Sequence, residues 1–362
     1  VQTRRDKSAL RMPSWFISSM IPHSAPAALV RTPLRFHAAD GFELAMTRVC
    51  NPSRASRGAV VLQHGLASNG MVFDYPGRSL AEALACAGFD CFISELRGAR
   101  GRRPSEIYGL DQYVEQDVPA ILATACATSG RPRVNWIGHS LGGVLMMLHA
   151  IEHPDAPIER FIAIGSALDY RAGRSVYGQL RLLKGLLPSQ LHWVPFDMLS
   201  RLNAHVAGHG PKLLAEKMNF WRSNVEPRIM RNIMRCGFSA VPVRLLLELD
   251  TTFAPVGFSR HAGQLTYLPR ASAFGLRTCL IVGSRDEQCD EAAVDETARL
   301  LRSAPKLRVA RFGKAYGHAE DYGHFDLIVG KHAAREVWPL IRDFVAGGHE
   351  PAAQRTLHGA YS

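Results

Sequence analysis

The period of hydrophobic and polar positions changes several times along this chain, and the changes mark its elements. Residues 35–46 alternate on both sides of Asp40-Gly41, the pattern of an antiparallel hairpin closed by a two-residue turn. Ala59 to Leu62 is a continuous apolar run, as expected of a strand buried on both faces. It empties into Gln63-His64-Gly65-Leu66-Ala67-Ser68, whose small residues leave backbone N–H groups open. Tyr75 to Ala87 carries a helical pattern stopped by Gly88, and Cys91 to Ser94 is the next buried strand, leading into a loop with Arg97 and Gly98. Asp111 to Ala127 is helical, with Pro119 a blemish. Val134 to Ile137 then runs through Gly138-His139-Ser140-Leu141-Gly142 into a Leu-, Met- and Ala-rich helix from Val144 to His153, and Arg160 to Gly165 is a further strand.

Alternating strands and helices predict a parallel sheet with helices on both faces and right-handed crossovers. From Leu168 to Gly275 the alternation stops. There the pattern is helical only: Val176, Leu180, Leu183 and Leu187; then Leu214, Met218 and Trp221 after Pro211; then Ile229 to Met234 closed by Gly237. Thr278 to Gly283 resumes the sheet, followed by a helix over 292–301, a strand over 307–312 and a helix over 337–345. The expected fold is α/β, an eight-stranded, mostly parallel sheet with helices on both faces and a helical cap inserted between strands 6 and 7. Its parts are an N-terminal arm (1–34), a core (35–167 and 276–346), the cap (168–275) and a C-terminal tail (347–362).

At 362 residues, with 47% hydrophobic and 21% charged residues, the chain is long enough for an ample core and reads as soluble and ordered. Its seven cysteines form no C-x-x-C pair and no zinc-spaced Cys/His cluster, so reduced thiols are expected, buried by default at Cys86 and Cys91. The N-terminal Arg4, Arg5, Lys7 and Arg11 before Trp15, Phe16, Ile17, Met20 and Ile21 superficially resemble a secretory signal. Serines interrupt that apolar run and Pro22 ends it, so an arm packing on the core or at an interface, in a cytoplasmic protein, is the expectation. The net charge of +11 is spread along the chain without interleaved aromatics, apart from Arg97, Arg100, Arg102 and Arg103. It implies no specific nucleic-acid partner, and at most a weak peripheral attraction to anionic lipid surfaces. The oligomeric state is left open.

The chemistry concentrates at Gly138-x-Ser140-x-Gly142 between a strand and a helix. A serine at the apex of so sharp a turn must hold strained dihedrals, and glycines two residues to either side let the backbones pass. The hydroxyl then projects clear of the sheet, while the Leu141 N–H sits at a helix N-terminus that favours negative charge. A plain strand-to-helix turn is the bland alternative. A serine hydroxyl needs a base, and the base needs an orienting acid. Asp286 follows the seventh strand and His324 the eighth, giving the chain order Ser, Asp, His at the carboxyl ends of strands, where ligands of parallel sheets bind. Position is what singles out His324 among fifteen histidines. Asp169, after the sixth strand, is a rival carboxylate, with a hinge salt bridge its expected use. His64 reads as a structural hydrogen-bonder, and the arginines at 97–103 as a salt-bridged loop.

Leu62-Gln63-His64-Gly65-Leu66, Ala87-Gly88-Phe89-Asp90, the Arg97-Gly98 loop and Tyr322-Gly323-His324-Phe325-Asp326 resemble motifs of the α/β-hydrolase superfamily, and within it of the acid lipase (gastric and lysosomal lipase) branch and its bacterial relatives. The resemblance covers roughly residues 35–167 and 276–346. It implies Ser140 as nucleophile, His324 as base, Asp286 as orienter, and the N–H groups of Leu66 and Leu141 as the oxyanion hole. It further implies a serine carboxylic ester hydrolase for lipophilic acyl esters, needing no metal or organic cofactor. An acyltransferase or thioesterase with the same residues is the nearest rival, and a non-catalytic scaffold a more distant one. The cap matches poorly and the chain has no Asn-x-Ser/Thr acceptor, since Pro52 follows Asn51. Extracellular fat digestion therefore does not carry over.

Overall fold

The computed structural model describes residues 28–101, 107–180 and 190–348. Trp15, Phe16, Arg102, Arg103, Leu183, Leu187 and most of the proposed arm and tail (1–27 and 349–362) lie outside these residues. Eight strands form one sheet: β1 (Val30–His37), β2 (Glu43–Cys50), β3 (Ala59–Gln63), β4 (Asp90–Glu95), β5 (Val134–His139), β6 (Ile158–Ile164), β7 (Thr278–Gly283) and β8 (Arg308–Phe312). Their spatial order is β1-β2-β4-β3-β5-β6-β7-β8, and only β2 runs against the others. Because β3 lies between β4 and β5, the end of β3 comes beside the turn after β5: Gln63 pairs with Gly138 on one side and Ser94 on the other.

Side chains alternate across the sheet. Val61, Phe92, Trp136, Phe161, Leu280 and Val282 face one core, and Val60, Leu62, Ile93, Ile137, Ile162 and Ile281 face the other. The continuous apolar runs of the sequence follow from this two-sided burial. Helix α1 (Leu80–Cys86) covers the second face, whereas α2 (Val118–Ser129) and α3 (Leu141–Glu152) cover the first. Between β6 and β7 come α4 (Phe196–Asn203), α5 (Leu214–Asn219), α6 (Pro227–Cys236) and α7 (Val243–Asp250). After β7, α8 (Glu291–Leu300) packs on the first face and, after β8, α9 (Trp338–Val345) on the second. Among the described residues no helix is long and apolar enough to cross a membrane.

Four expectations change. The first hairpin does not close in two residues: β1 ends at His37 and β2 begins at Glu43, with Gly41 at φ +81°. The Gly41 N–H donates to the Ala38 carbonyl and the Ala38 N–H to the Phe42 carbonyl (both 2.9 Å), so the connection takes three residues, with the Asp40 side chain accepting from the Phe42 N–H (3.2 Å) and Arg97 (2.6 Å). Tyr75 is not helical, because Pro76-Gly77 turns the chain so that Asp74-Tyr75 pairs with Arg78-Ser79. The helix starts at Leu80, where the Ser79 hydroxyl caps the Glu82 N–H at 3.0 Å. Pro119 marks a change of helix type: a π-helical stretch over Tyr113–Asp117 precedes α2, consistent with a proline that has no N–H for the Glu115 carbonyl. Finally, Cys86 is exposed, whereas Cys91 is buried as expected.

Helix α3 buries His149 beside His153 and the backbone of Val114, and its pKa falls from 6.5 to about 4 through desolvation and the neighbouring His153. The unfolded chain therefore takes up this proton first, and the stability is lost as pH falls from 6.5 toward 4. By pH 5 the loss from this group should reach roughly 2 kcal/mol. Asp117, pushed up to about 6 mainly by burial, acts in the opposite sense, so the comparison that isolates His149 is between two proteins. Urea unfolding of wild type and His149→Gln at pH 7 and pH 5 should show the smaller acid loss in the variant; equal losses would disprove the assignment.

Candidate active site

The turn after β5 is built on close backbone approach. Ser140 holds φ 55° and ψ −124°, a strained pair for a residue with a Cβ. Its N–H donates to the Ile164 carbonyl (2.8 Å), and its carbonyl accepts from the Ser166 hydroxyl (2.7 Å) and the Gly143 N–H (2.9 Å). A Cβ on Gly138 would strike the backbone of Gly142, and one on Gly142 the carbonyls of Gln63 and His64. The G-x-S-x-G spacing is thus a steric requirement of packing α3 against the ends of β3 and β5.

Asp286 and His324, 38 positions apart in the chain, meet at 2.7 Å between Oδ2 and Nδ1, with both side chains buried. The other carboxylate oxygen accepts from the N–H groups of Gln288 and Cys289, each at 2.9 Å. A carboxylate beside Nδ1 keeps the proton there and leaves Nε2 as the lone-pair nitrogen. That Nε2 is buried and has no hydrogen-bond partner among the described residues, so the Ser140 hydroxyl is not bonded to it here. Such bonds commonly close only when substrate is bound. Gly165, at φ +58°, leaves room for the pair: a Cβ there would lie 2.9 Å from both Asp286 Oδ2 and His324 Nδ1.

Gly65 packs on the serine so closely that a Cβ would come within 2.6 Å of the Ser140 Cβ. Ala67 follows at φ 56°, and its carbonyl accepts from the Ser239 N–H at 2.6 Å. Asn69 ties the same loop to the Cys236 carbonyl at 2.8 Å. The Leu66 N–H donates to no backbone carbonyl among the described residues, and the Leu141 N–H, first of its helix, is free by position. Leu66, Leu141, Ser140 and His324 all line one cavity of about 530 Å³, a size typical of small-molecule sites. The segment between β6 and β7 supplies much of its wall, including Leu199, Leu214, Met218, Leu249, Phe253 and Phe258.

Residues 58–230 match the family described as alpha/beta hydrolase fold. The chain has the α/β-hydrolase fold. Over 163 residues this hydrolase-fold chain is 26% identical to human lipase member K and 25% to human gastric triacylglycerol lipase, in each case 40% of this chain and 41% of the relative. It is a distant homologue of the mammalian acid lipases, and spans about two fifths of the length of the curated relatives it matches. The structure of Paleococcus ferrophilus monoacylglycerol lipase superposes with a TM-score of 0.58 at 17% identity, over 84% of this chain and 99% of that one. That of a Thermogutta terrifontis esterase does so at 0.56 and 16%, over 88% and 100%.

Around the hydrolase-fold site the remaining candidates separate cleanly. His64 receives the Leu96 N–H on Nε2 (3.2 Å), so its protonated Nδ1 donates to the Gly65 carbonyl (2.9 Å), and burial keeps its pKa low. Arg97 is buried between Asp117 and Asp40, and Arg100 pairs with Glu95. Asp169 is held by Arg171 at 2.6 Å and does not reach His324. Met230 and Met234 of α6 are buried in the second core and do not line the cavity. Asp111, Glu115 and His261 are close enough to share an ion, but Arg260 already pairs with both carboxylates (3.2 and 2.9 Å).

Two residues at the site carried no separate signal in the sequence. His139 packs against His324 with ring centroids 4.5 Å apart and the rings tilted by 48°, and its Nε2 donates to the His324 carbonyl at 3.1 Å. Burial, then His324, holds its pKa well below 6.5, so it stays neutral. It sits inside the serine motif, whose spacing is set by the glycines and the serine and not by the residue between them. Gln288, two residues after Asp286, belongs to no motif at all.

Proposed function

We propose that this chain is a serine carboxylic ester hydrolase acting on lipophilic acyl esters through an acyl-enzyme on Ser140. The observation that carries the reading is the Asp286–His324 bond, with the unpartnered Nε2 on an imidazole that lines the same cavity as a strained serine. In this reading His324 takes the serine proton during attack on the ester carbonyl. The Leu66 and Leu141 N–H groups stabilise the oxyanion, each worth about 3 kcal/mol of barrier by analogy with other oxyanion donors. His324 then protonates the leaving alcohol and activates the water that releases the acid.

The proposal includes a division of labour, with residues 35–167 and 276–346 as core and 168–275 as a cap that forms the acyl pocket. The aliphatic and aromatic wall contributed by the cap supports it. So do Met198, Leu199 and Leu202 on α4, which are exposed beside that wall and suit substrate arriving from a lipid surface. Rates on p-nitrophenyl esters should rise from acetyl to octanoyl or longer chains. A steady fall from acetyl onward would sink the proposed specificity.

A further inference from the structure

A closed ring of hydrogen bonds joins the acid and the base by a second route. The direct link is Asp286 to His324. The indirect one begins at the Gln288 N–H, which donates to Asp286 Oδ1 at 2.9 Å. The Gln288 side chain reaches into the cap, where Nε2 donates to the Met218 carbonyl (3.1 Å) and to Asn219 Oδ1 (3.0 Å). The Asn219 carbonyl in turn accepts the N–H of Phe325, next to His324, at 2.9 Å. Gln288 is saturated at every polar atom, since its Oε1 accepts from the Tyr177 hydroxyl and its carbonyl from the Ser175 hydroxyl (2.7 Å). It is only 5% exposed, so each of these bonds is formed out of water, where leaving one unmade is costly.

The same stretch of cap grips the histidine loop further along. Trp221 and Gly323 both donate to Asp326 Oδ2 (3.0 and 2.9 Å), and the Asn224 side chain donates to the Asp321 carbonyl (3.1 Å). Gly323 has no room for a side chain, because a Cβ would lie 2.6 Å from the Trp221 nitrogen. Residues 218–224 therefore cannot swing away as a lid without taking the His324 loop with them.

We propose that Gln288 and Asn219 are positioning residues that hold the Asp286–His324 pair at its working geometry, and that residues 218–224 of the cap are a fixed brace for that pair. The inference rests on the reading of His324 as the base. Displacements near 1 Å in such sites can cost about a hundredfold. Gln288→Leu and Asn219→Ala should each lower kcat on an octanoyl ester about 10- to 100-fold, with KM changed less than about twofold. Phosphonylation of Ser140 should slow in step, and the far-downfield proton resonance of the Nδ1–H···Oδ2 bond should broaden or vanish. Because the two residues act through one ring, the double variant should be no more than about twofold slower than the slower single one. Should Gln288→Leu fail to fold, Asn219→Ala carries the test through its kcat and its proton resonance. Folded variants with wild-type phosphonylation rates and an unchanged resonance, or losses that multiply, would overturn the ring. A His324→Ala control separates the two ideas: if it retains wild-type turnover, the base assignment itself falls.

Discussion

Asp286→Asn is expected to lower turnover by about 10⁴ while leaving the fold intact, the loss measured for the equivalent change in a serine protease. The geometry says why the amide should fail. The N–H groups of Gln288 and Cys289 both point at Oδ1, so an asparagine must place its carbonyl oxygen there. Its NH₂ then occupies the position of Oδ2 and faces His324 Nδ1, to which it donates. The imidazole proton is forced onto Nε2, the atom required to accept the serine proton. Asp169→Asn should cost little turnover, since that carboxylate serves Arg171 through the guanidinium and the Arg171 N–H (2.9 Å), and Arg171 reaches on to the Pro255 carbonyl (3.0 Å). Steady-state kinetics on both purified variants, with circular dichroism as the folding control, decide the matter. The reverse ranking would remove Asp286 from its role.

Ser140→Ala should abolish both ester hydrolysis and covalent capture by a fluorophosphonate. Removing the nucleophile from a serine hydrolase of known mechanism costs about 10⁶ in turnover, leaving only what the oxyanion hole and binding supply. Ser140 is the serine whose backbone is held at φ 55° by four hydrogen bonds, from its own N–H to Ile164 and to its carbonyl from Ser166, Gly143 and Val144, in a turn where glycines are sterically required. Backbone strain of this kind, about 1–3 kcal/mol, persists only where the surroundings impose it, and here it falls on a residue that lines the cavity. Intact-mass analysis should show one adduct on wild type and none on the variant. Equal labelling of the two proteins, or of neither, would end the nucleophile assignment.

The two expectations differ in how they could be reached from sequence. The Ser140 turn is local: the strand, the two glycines and the helix lie within adjacent residues, and their periodicity and sterics announce them. So do the central strands β3 to β7, whose apolar runs reflect burial on both sheet faces, the alternating hairpin at the sheet edge, and the long helical interval between β6 and β7. Local punctuation is equally legible, for Pro76-Gly77 and Ser79 specify a turn followed by a cap, which excludes helix at Tyr75.

What only the tertiary structure decided involves partners distant in the chain. That Oδ2 of Asp286 meets Nδ1 of His324 depends on β7 and β8 lying side by side and on Gly165 leaving space beneath them. That His139 braces the His324 carbonyl, and that Gln288 reaches Asn219, follow from packing across 185 and 69 positions respectively. Met230 and Met234 share their composition and spacing with any cavity-lining helix, yet α6 turns them into the core and leaves Met218 of α5 to the cavity. Apolar periodicity tells a helix which face to bury. It carries no information about whether that face meets a packed core or an empty pocket, because both present the same apolar surface, and only the relative placement of the elements distinguishes them.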